Sequence, residues 1–323
     1  MKKILLTLLV IVLVVIAGAA SYVKFALPDV GDPEAELHVP LTPERVERGS
    51  YLANHVTLCM DCHSTRDWTR FSGPMEPGTN GKGGERFDEQ MGFPGTFFAR
   101  DITPVNLKNW SDGEIFRTIT TGVNKSGEAL FPIMPYHNYG RMDKEDIYDI
   151  IAYIRTLAPI ENSIPKRSLA FPMNFIVNTI PVKATFSQKP SRSDTINYGA
   201  YLVNAAACVE CHTPVKKGQI IPELAFSGGR DFHMPNGVVN SANLTPDKAT
   251  GIGGWSAEQF VARFKAYTDP ANCPPIGPKS VNTIMPWTML GGMDTSDLRS
   301  IYAYLQTLKP MDHKVEHFVP TKE

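Results

Sequence analysis

The first patterned stretch of the chain is apolar on every side. From Ile4 to Ala20 only Thr7 and Gly18 interrupt it, Lys2 and Lys3 precede it, and Tyr22 and Val23 extend it. About 20 such residues suffice to cross a bilayer once as a helix. A basic flank before an apolar run is also the layout of an export signal, and Ala17-Gly18-Ala19 offers small residues for cleavage. Residues 1–25 are therefore expected to be a signal peptide or membrane anchor, with length favouring an anchor whose Lys2 and Lys3 stay on the cytoplasmic side. Either way the remainder is exported. A buried core helix fits poorly, because Pro28, Asp29, Gly31, Asp32 and Pro33 follow as a polar spacer to about Thr42.

Beyond the spacer, apolar residues fall at helical intervals. Ile147, Ile150, Ile151 and Ile154 share one face, as do Leu298, Ile301, Tyr302 and Leu305. Asp143 and Asp294 are placed to N-cap these helices, Met142/Ile147 and Met293/Leu298 to staple them, and Pro159 and Pro310 to stop them. Ser111 with Glu114, and Ser256 with Gln259, read as capping boxes. Trp110/Ile115 and Trp255/Phe260 stand at the matching staple positions. No sustained strand alternation occurs, so the predicted fold class is all-α.

These paired features belong to a repeat. Gly49-Ser-Tyr-Leu-Ala-Asn54 returns as Gly199-Ala-Tyr-Leu-Val-Asn204, and Cys59-Met-Asp-Cys-His63 as Cys208-Val-Glu-Cys-His212. Phe71-Ser-Gly73 matches Phe226-Ser-Gly228, Ile102-Thr-Pro104 matches Leu244-Thr-Pro246, and Met134-Pro-Tyr136 matches Met285-Pro-Trp287. The order is the same in both halves. The reading is two tandem copies of one domain, 42–160 and 193–312, joined by a linker at 161–192.

Composition narrows the function. The 323 residues are 42% hydrophobic and 20% charged with a net charge of -1, which excludes a disordered tail, a collagen and a strongly basic nucleic-acid binder. The balance is uneven. Residues 26–165 carry 13 Lys+Arg against 21 Asp+Glu, whereas 166–192 carry five basic residues and no acidic one. No long basic stripe supports nucleic-acid binding.

Four of the five cysteines form two Cys-x-x-Cys pairs, each followed directly by histidine. Cysteines one helical turn apart can each form a thioether to a haem vinyl group, leaving the histidine beneath the iron, which is the c-type attachment signature. A thioredoxin-like pair wants a βαβ context that is lacking. A zinc site would have to join pairs about 150 residues apart, beyond the usual ligand spacings. Structural disulfides would leave both histidines unexplained. The expected attachment residues are thus Cys59, Cys62, Cys208 and Cys211, for two covalently bound haem c groups with His63 and His212 as axial ligands.

A haem that only transfers electrons takes a second axial ligand, usually methionine. Met134 and Met285 lie 75 and 77 residues after the first cysteine of their copies, each followed by a proline that stiffens its presentation. Met142 and Met293 are absorbed by the staple role. His55, His137 and His233 are unmatched between the copies and are expected to be surface or satisfied-core residues. Cys273 lies in an insertion unique to the second copy and is expected to be an unassigned thiol.

In these motifs, together with Asn243-Leu-Thr-Pro, Gly251-Ile-Gly-Gly-Trp-Ser256 and the Ala-Tyr-Ile/Leu helix, the chain resembles the multihaem cytochrome c subunits of bacterial membrane-bound alcohol, aldehyde and gluconate dehydrogenases. Those subunits commonly carry three haem domains, and this chain shows two motif copies. The resemblance implies haem ligation by Cys59, Cys62, His63 and Met134, then by Cys208, Cys211, His212 and Met285. It implies single-electron transfer from a dehydrogenase subunit towards a respiratory oxidase or a quinone-linked complex, in the bacterial periplasm at the cytoplasmic membrane. The protein is accordingly expected to be an electron carrier without substrate turnover. The alternative is a dihaem peroxidase, which needs one iron with an open or displaceable sixth position.

Overall fold

A computed structural model describes residues 1–278 and 280–321. In chain order the helices are α1 (Lys2–Phe25), α2 (Pro43–Tyr51), α3 (Cys59–Cys62), α4 (Pro104–Leu107), α5 (Asp112–Thr121), α6 (Tyr136–Tyr139) and α7 (Lys144–Arg155). They continue as α8 (Met173–Ile176), α9 (Thr195–Ala205), α10 (Cys208–Cys211), α11 (Ala257–Lys265), α12 (Trp287–Gly291) and α13 (Thr295–Leu305). The structure is mostly helical, 40% helix against 9% strand. The strand content corrects a strictly all-α expectation. Strands β1 (Arg86–Phe87) and β2 (Gly95–Phe98) pair antiparallel, β3 is Ser168–Leu169, and β4 (Val215–Lys216) pairs with β5 (Gln219–Ile220). Strand β6 (Asp231–Met234) turns through Pro235-Asn236 into β7 (Gly237–Asn240), whose other edge takes β8 (Phe318–Pro320). Runs of two to four residues are too short to show alternation in a sequence window.

The chain divides into two compact units. The first comprises residues 1–38, 110–141 and 168–185. Its α1 buries no residue and is long and apolar enough to cross a membrane. Helix α5 carries the expected capping box, with Ser111 and Glu114 satisfying each other's backbone donors. It ends at Gly122, whose left-handed φ of 75° also leaves the space filled by the Tyr136 ring.

The second unit comprises residues 39–109, 142–167, 186–278 and 280–321 and contains both Cys-x-x-Cys-His segments. Its core is a duplicated helix crossing, α2 on α7 and α9 on α13. Ile147, Ile150, Ile151 and Ile154 are buried on α7, and Leu298, Ile301 and Leu305 on α13. The staple pairs Met142/Ile147 and Met293/Leu298 are wholly buried. Ser256 and Gln259 close the second capping box. Asp143 caps α7 through Glu145 N, whereas Asp294 occupies the same position on α13 without a side-chain cap bond. Trp255 is 40% exposed, so it contributes little to the expected staple. Both long helices stop short of the prolines. Thr156 and Thr307 turn their Oγ1 back onto the carbonyls of Tyr153 and Tyr304, 2.8 and 2.7 Å away, and draw off the acceptors that another turn needs.

Two glycines set the crossings. A Cβ on Gly49 would lie 1.8 Å from the Asp149 carbonyl oxygen, and one on Gly199 would lie 1.9 Å from that of Ser300. The copies are also tied to each other by a reciprocal exchange. Tyr51 donates to Asp297 at 2.8 Å and accepts from Asp294 N at 3.0 Å. The repeat-equivalent Tyr201 donates to Asp146 at 2.7 Å and accepts from Asp143 N at 3.2 Å. Each half thus gives the other the same contact that it receives, as at an isologous dimer interface.

The halves differ by one residue before the cysteines. Gly49 and Cys59 are ten apart, Gly199 and Cys208 nine. The extra residue is absorbed by a π-helical turn over Leu52–Val56, where α9 remains regular. His55 lies in this turn. Its Nδ1 lies 2.9 Å from the Met289 carbonyl and its ring rests on Gly292.

Candidate functional site

Each Cys-x-x-Cys-His segment begins with a left-handed residue, Leu58 at φ 58° and Ala207 at φ 50°. This reversal ends the preceding helical segment and starts a fresh turn, α3 or α10, with the two cysteines three residues apart on it. All five cysteines are free thiols. Burial pushes the Cys59, Cys62 and Cys211 thiols upward, and the Cys208 thiol up to about 12. Among the described residues no group of three His, Cys, Asp or Glu gathers at metal-binding distance. The shared-zinc reading gains no support.

The histidines are held alike. His63 Nδ1 lies 2.6 Å from the Arg100 carbonyl, and His212 Nδ1 lies 2.8 Å from that of Ala242. Donation from Nδ1 fixes the tautomer and leaves Nε2 as the basic nitrogen, the arrangement a metal-ligating histidine needs. Burial lowers both histidine pKa values and so favours the neutral ring. The residues present therefore fit a covalently held haem: one turn offering two thiols, then an imidazole with one nitrogen already tied to the main chain.

A second strap passes through glycine. Gly83 N donates to the His63 carbonyl and Gly228 N to that of His212, each at 2.9 Å. Gly81 N meets Ser64 Oγ at 3.4 Å, and Phe226 N meets Thr213 Oγ1 at 3.2 Å. Gly81-Lys-Gly83 is thus the structural counterpart of Phe226-Ser-Gly228. This corrects the match of Phe71-Ser-Gly73 to that segment, which rested on identical letters. The Phe71 loop instead pins the second copy's methionine segment. Ser72 Oγ donates to the Met285 carbonyl at 2.6 Å and accepts from Trp287 N at 3.1 Å, while Ser72 N donates to Asn282 at 2.9 Å. Arg70 donates to the Cys273 carbonyl, so the insertion unique to the second copy is a docking segment for the first. Cys273 itself is fully buried and its thiol is pushed up by burial.

Gly228 has φ 72°, and a Cβ there would lie 2.5 Å from Ser241 O and Ala242 C. Gly228→Ala is therefore expected to cost about 2–3 kcal/mol by overpacking and to shift the Ala242 carbonyl off His212. Urea unfolding, read beside the visible spectrum of the loaded protein, checks both effects.

Met134 and Met285 occupy the same local structure. Each sits half-buried in a bend, its carbonyl accepts from the N–H two residues on, and a proline leads into a short helix, α6 or α12. Met285 belongs to the unit that holds Cys208–His212, and Met134 to the first unit. His137 Nε2 lies 3.1 Å from the Ile180 carbonyl, and His233 is exposed beside Asp231.

Sequence reasoning did not single out the acceptors of the two histidines. They are main-chain carbonyls, yet both stand two residues before the repeated Ile/Leu-Thr-Pro motif. Asp101 and Asn243 differ chemically but act alike, accepting from Thr103 N at 2.7 Å and Thr245 N at 2.9 Å. Arg66 was also passed over. It pairs with Asp61 at 2.9 Å and stacks on Trp68, 4.1 Å from the ring centre.

No family model matches the chain. It is similar to the fructose dehydrogenase cytochrome subunit of Gluconobacter japonicus, 28% identical over 232 residues, covering 68% of this chain and 44% of that protein. It is similar to the cytochrome c subunit of a quinone alcohol dehydrogenase from Gluconacetobacter polyoxogenes, 25% identical over 284 residues, covering 82% and 56%. A dihaem cytochrome c-type protein of Cereibacter sphaeroides is 27% identical over 313 residues, covering 93% of this chain and 97% of that one. The chain spans about half the length of the dehydrogenase subunits. Its homologues are thus cytochrome c subunits of dehydrogenases and a dihaem cytochrome c. These relatives give the peroxidase alternative no support.

Proposed function

We propose that the chain is a dihaem c-type cytochrome that carries single electrons from a dehydrogenase towards the respiratory chain, held at the periplasmic face of the membrane by α1. The observation that carries this reading is the matched pair of histidine clamps, His63 on Arg100 O and His212 on Ala242 O, each following a Cys-x-x-Cys turn. Residues 42–160 and 193–312 are the proposed haem domains and 161–192 their linker. Cys59, Cys62, Cys208 and Cys211 would hold the two groups, with His63 and Met134, and His212 and Met285, as axial ligands. Haem supplies the one-electron couple; methionine ligation favours a relatively high potential, and burial tunes it. The chain's own part is placement. The proposed dehydrogenase partner follows the printed names of the relatives, and a respiratory oxidase or quinone-linked complex would take the electrons.

Denaturing gels and haem assay of the exported protein are expected to show two covalent haems per chain. Cys59→Ala with Cys62→Ala, and separately Cys208→Ala with Cys211→Ala, should each leave one. The weak long-wavelength band of methionine-ligated ferric haem should fall by about half in Met134→Ala and again in Met285→Ala. A high-spin haem in the unaltered protein, with peroxide turnover, would overturn the carrier reading.

A further inference from the structure

The basic stretch 166–192 includes an apolar segment that a water-facing linker does not need. Within the first unit, residues 168–182 bury Val177 yet display Phe171, Phe175, Ile176 and Val182, with Phe171 83% exposed. The segment lies against the last turns of α1. Helix α8 and the turn after it contact α1, Asn178 Nδ2 donates to the Val23 carbonyl at 3.3 Å, and Lys183 lies 3.9 Å from Asp29 just beyond the helix. Around this junction Tyr22 and Phe25 are exposed, Phe171 and Phe175 meet edge to face, and Lys24 stands over the Phe25 ring.

The dimensions say what level this is. From Ile4 to Val23 is 20 residues, about 30 Å of helix at 1.5 Å per residue, which matches the hydrocarbon core. If that run fills the core, Lys24, Phe25 and whatever packs on them sit among the head groups. Aromatic rings and basic side chains are the groups favoured at that level. Residues 168–182 carry no acidic residue and are flanked in sequence by Lys166, Arg167 and Lys183, which suits an anionic surface.

We propose that residues 168–182 form a second membrane contact, an interfacial lobe that inserts Phe171, Phe175 and Ile176 among lipid head groups beside the exit end of α1. It would fix how the exported part stands on the bilayer, which a single helix followed by a spacer does not do. The inference rests on the reading of α1 as a retained anchor.

The test uses the full-length haem-loaded protein in vesicles of equal parts phosphatidylcholine and phosphatidylglycerol containing a photoactivatable phospholipid, with labelled peptides mapped by mass spectrometry. Labelling of both α1 and 168–182 is the expected result. Phe171→Glu with Phe175→Glu should abolish the second label, while Phe171→Trp with Phe175→Trp retains it; both positions are exposed, and haem content checks folding. Label on α1 alone overturns the lobe and leaves the anchor standing, as does protection of the segment by a co-purified dehydrogenase subunit. Label on 168–182 with residues 1–25 missing overturns the anchor but not the lipid contact. Label on neither overturns both.

Discussion

Gly199→Ala and Gly49→Ala are each expected to destabilise the protein by about 3 kcal/mol or more, among the largest effects of any one-carbon change in the chain. The added Cβ would sit 1.9 Å from Ser300 O in one crossing and 1.8 Å from Asp149 O in the other. Both contacts are under the 3.0 Å that real Cβ atoms essentially never breach, and the opposing atom is helix backbone, which no rotamer change can move. The opposing effect is alanine's better helix propensity, about 1 kcal/mol, so the clash wins. The helices must part, and the buried faces of α7 or α13 part with them. Gly254→Ala is the control: it has normal backbone angles, and the nearest heavy atom to its added Cβ is 3.8 Å away. Urea unfolding of the three variants checks the ranking. Equal midpoints for Gly199→Ala and Gly254→Ala would show that the crossing is looser than these distances.

The second large effect concerns Asp146, a fully buried carboxylate. It receives Lys189 Nζ at 2.6 Å, Tyr201 Oη at 2.7 Å and Arg48 at 3.5 Å. Asp146→Ala leaves two cations and a hydroxyl without their acceptor. Breaking a sealed pair costs about 3–5 kcal/mol, and partial exposure of Arg48 and Lys189 brings the expected loss to about 2–3 kcal/mol. Burial by itself raises the Asp146 pKa, but Arg48, Lys189 and Tyr201 outweigh it and hold the carboxyl below its ordinary value. A folded pKa below the unfolded value of about 3.9 means that the contribution is fully present above that pH. It is lost as pH falls through the folded pKa. The unaltered protein should therefore lose stability below about pH 4 more steeply than Asp146→Ala. Parallel acid limbs in urea titrations of the two would show that the fold does not hold the Asp146 carboxyl below its ordinary value.

Much of this architecture is legible along the chain because its causes are local. Ser111 with Glu114 and Ser256 with Gln259 close within one turn, so spacing alone announces them. The Ile147 and Leu298 faces follow from the helical period. The Cys-x-x-Cys-His turns need no distant residue to be recognised. Where reading failed, the cause was distant or backbone-borne. Phe71-Ser-Gly73 has the letters of Phe226-Ser-Gly228, but Gly81 and Gly83 take that position, since the fold demands positive φ and a free N–H rather than a side chain. Trp255 sits at a staple position and stays half in water. Two-residue strands carry no period to read.

By itself the sequence determined the apolar first helix, the helical faces and the paired Cys-x-x-Cys-His motifs, because each depends on neighbours within a few turns or on a pattern repeated in register. Only the tertiary structure decided what Tyr51, Asp146, Tyr201 and Asp297 are for, that His55 in its π-helical turn meets the Met289 carbonyl, and that Arg100 and Ala242 supply the carbonyls behind the two histidines. The hydrogen bonds that make these relations join atoms 30 to 246 residues apart in sequence. Chain topology and close packing create them, and no local propensity encodes them.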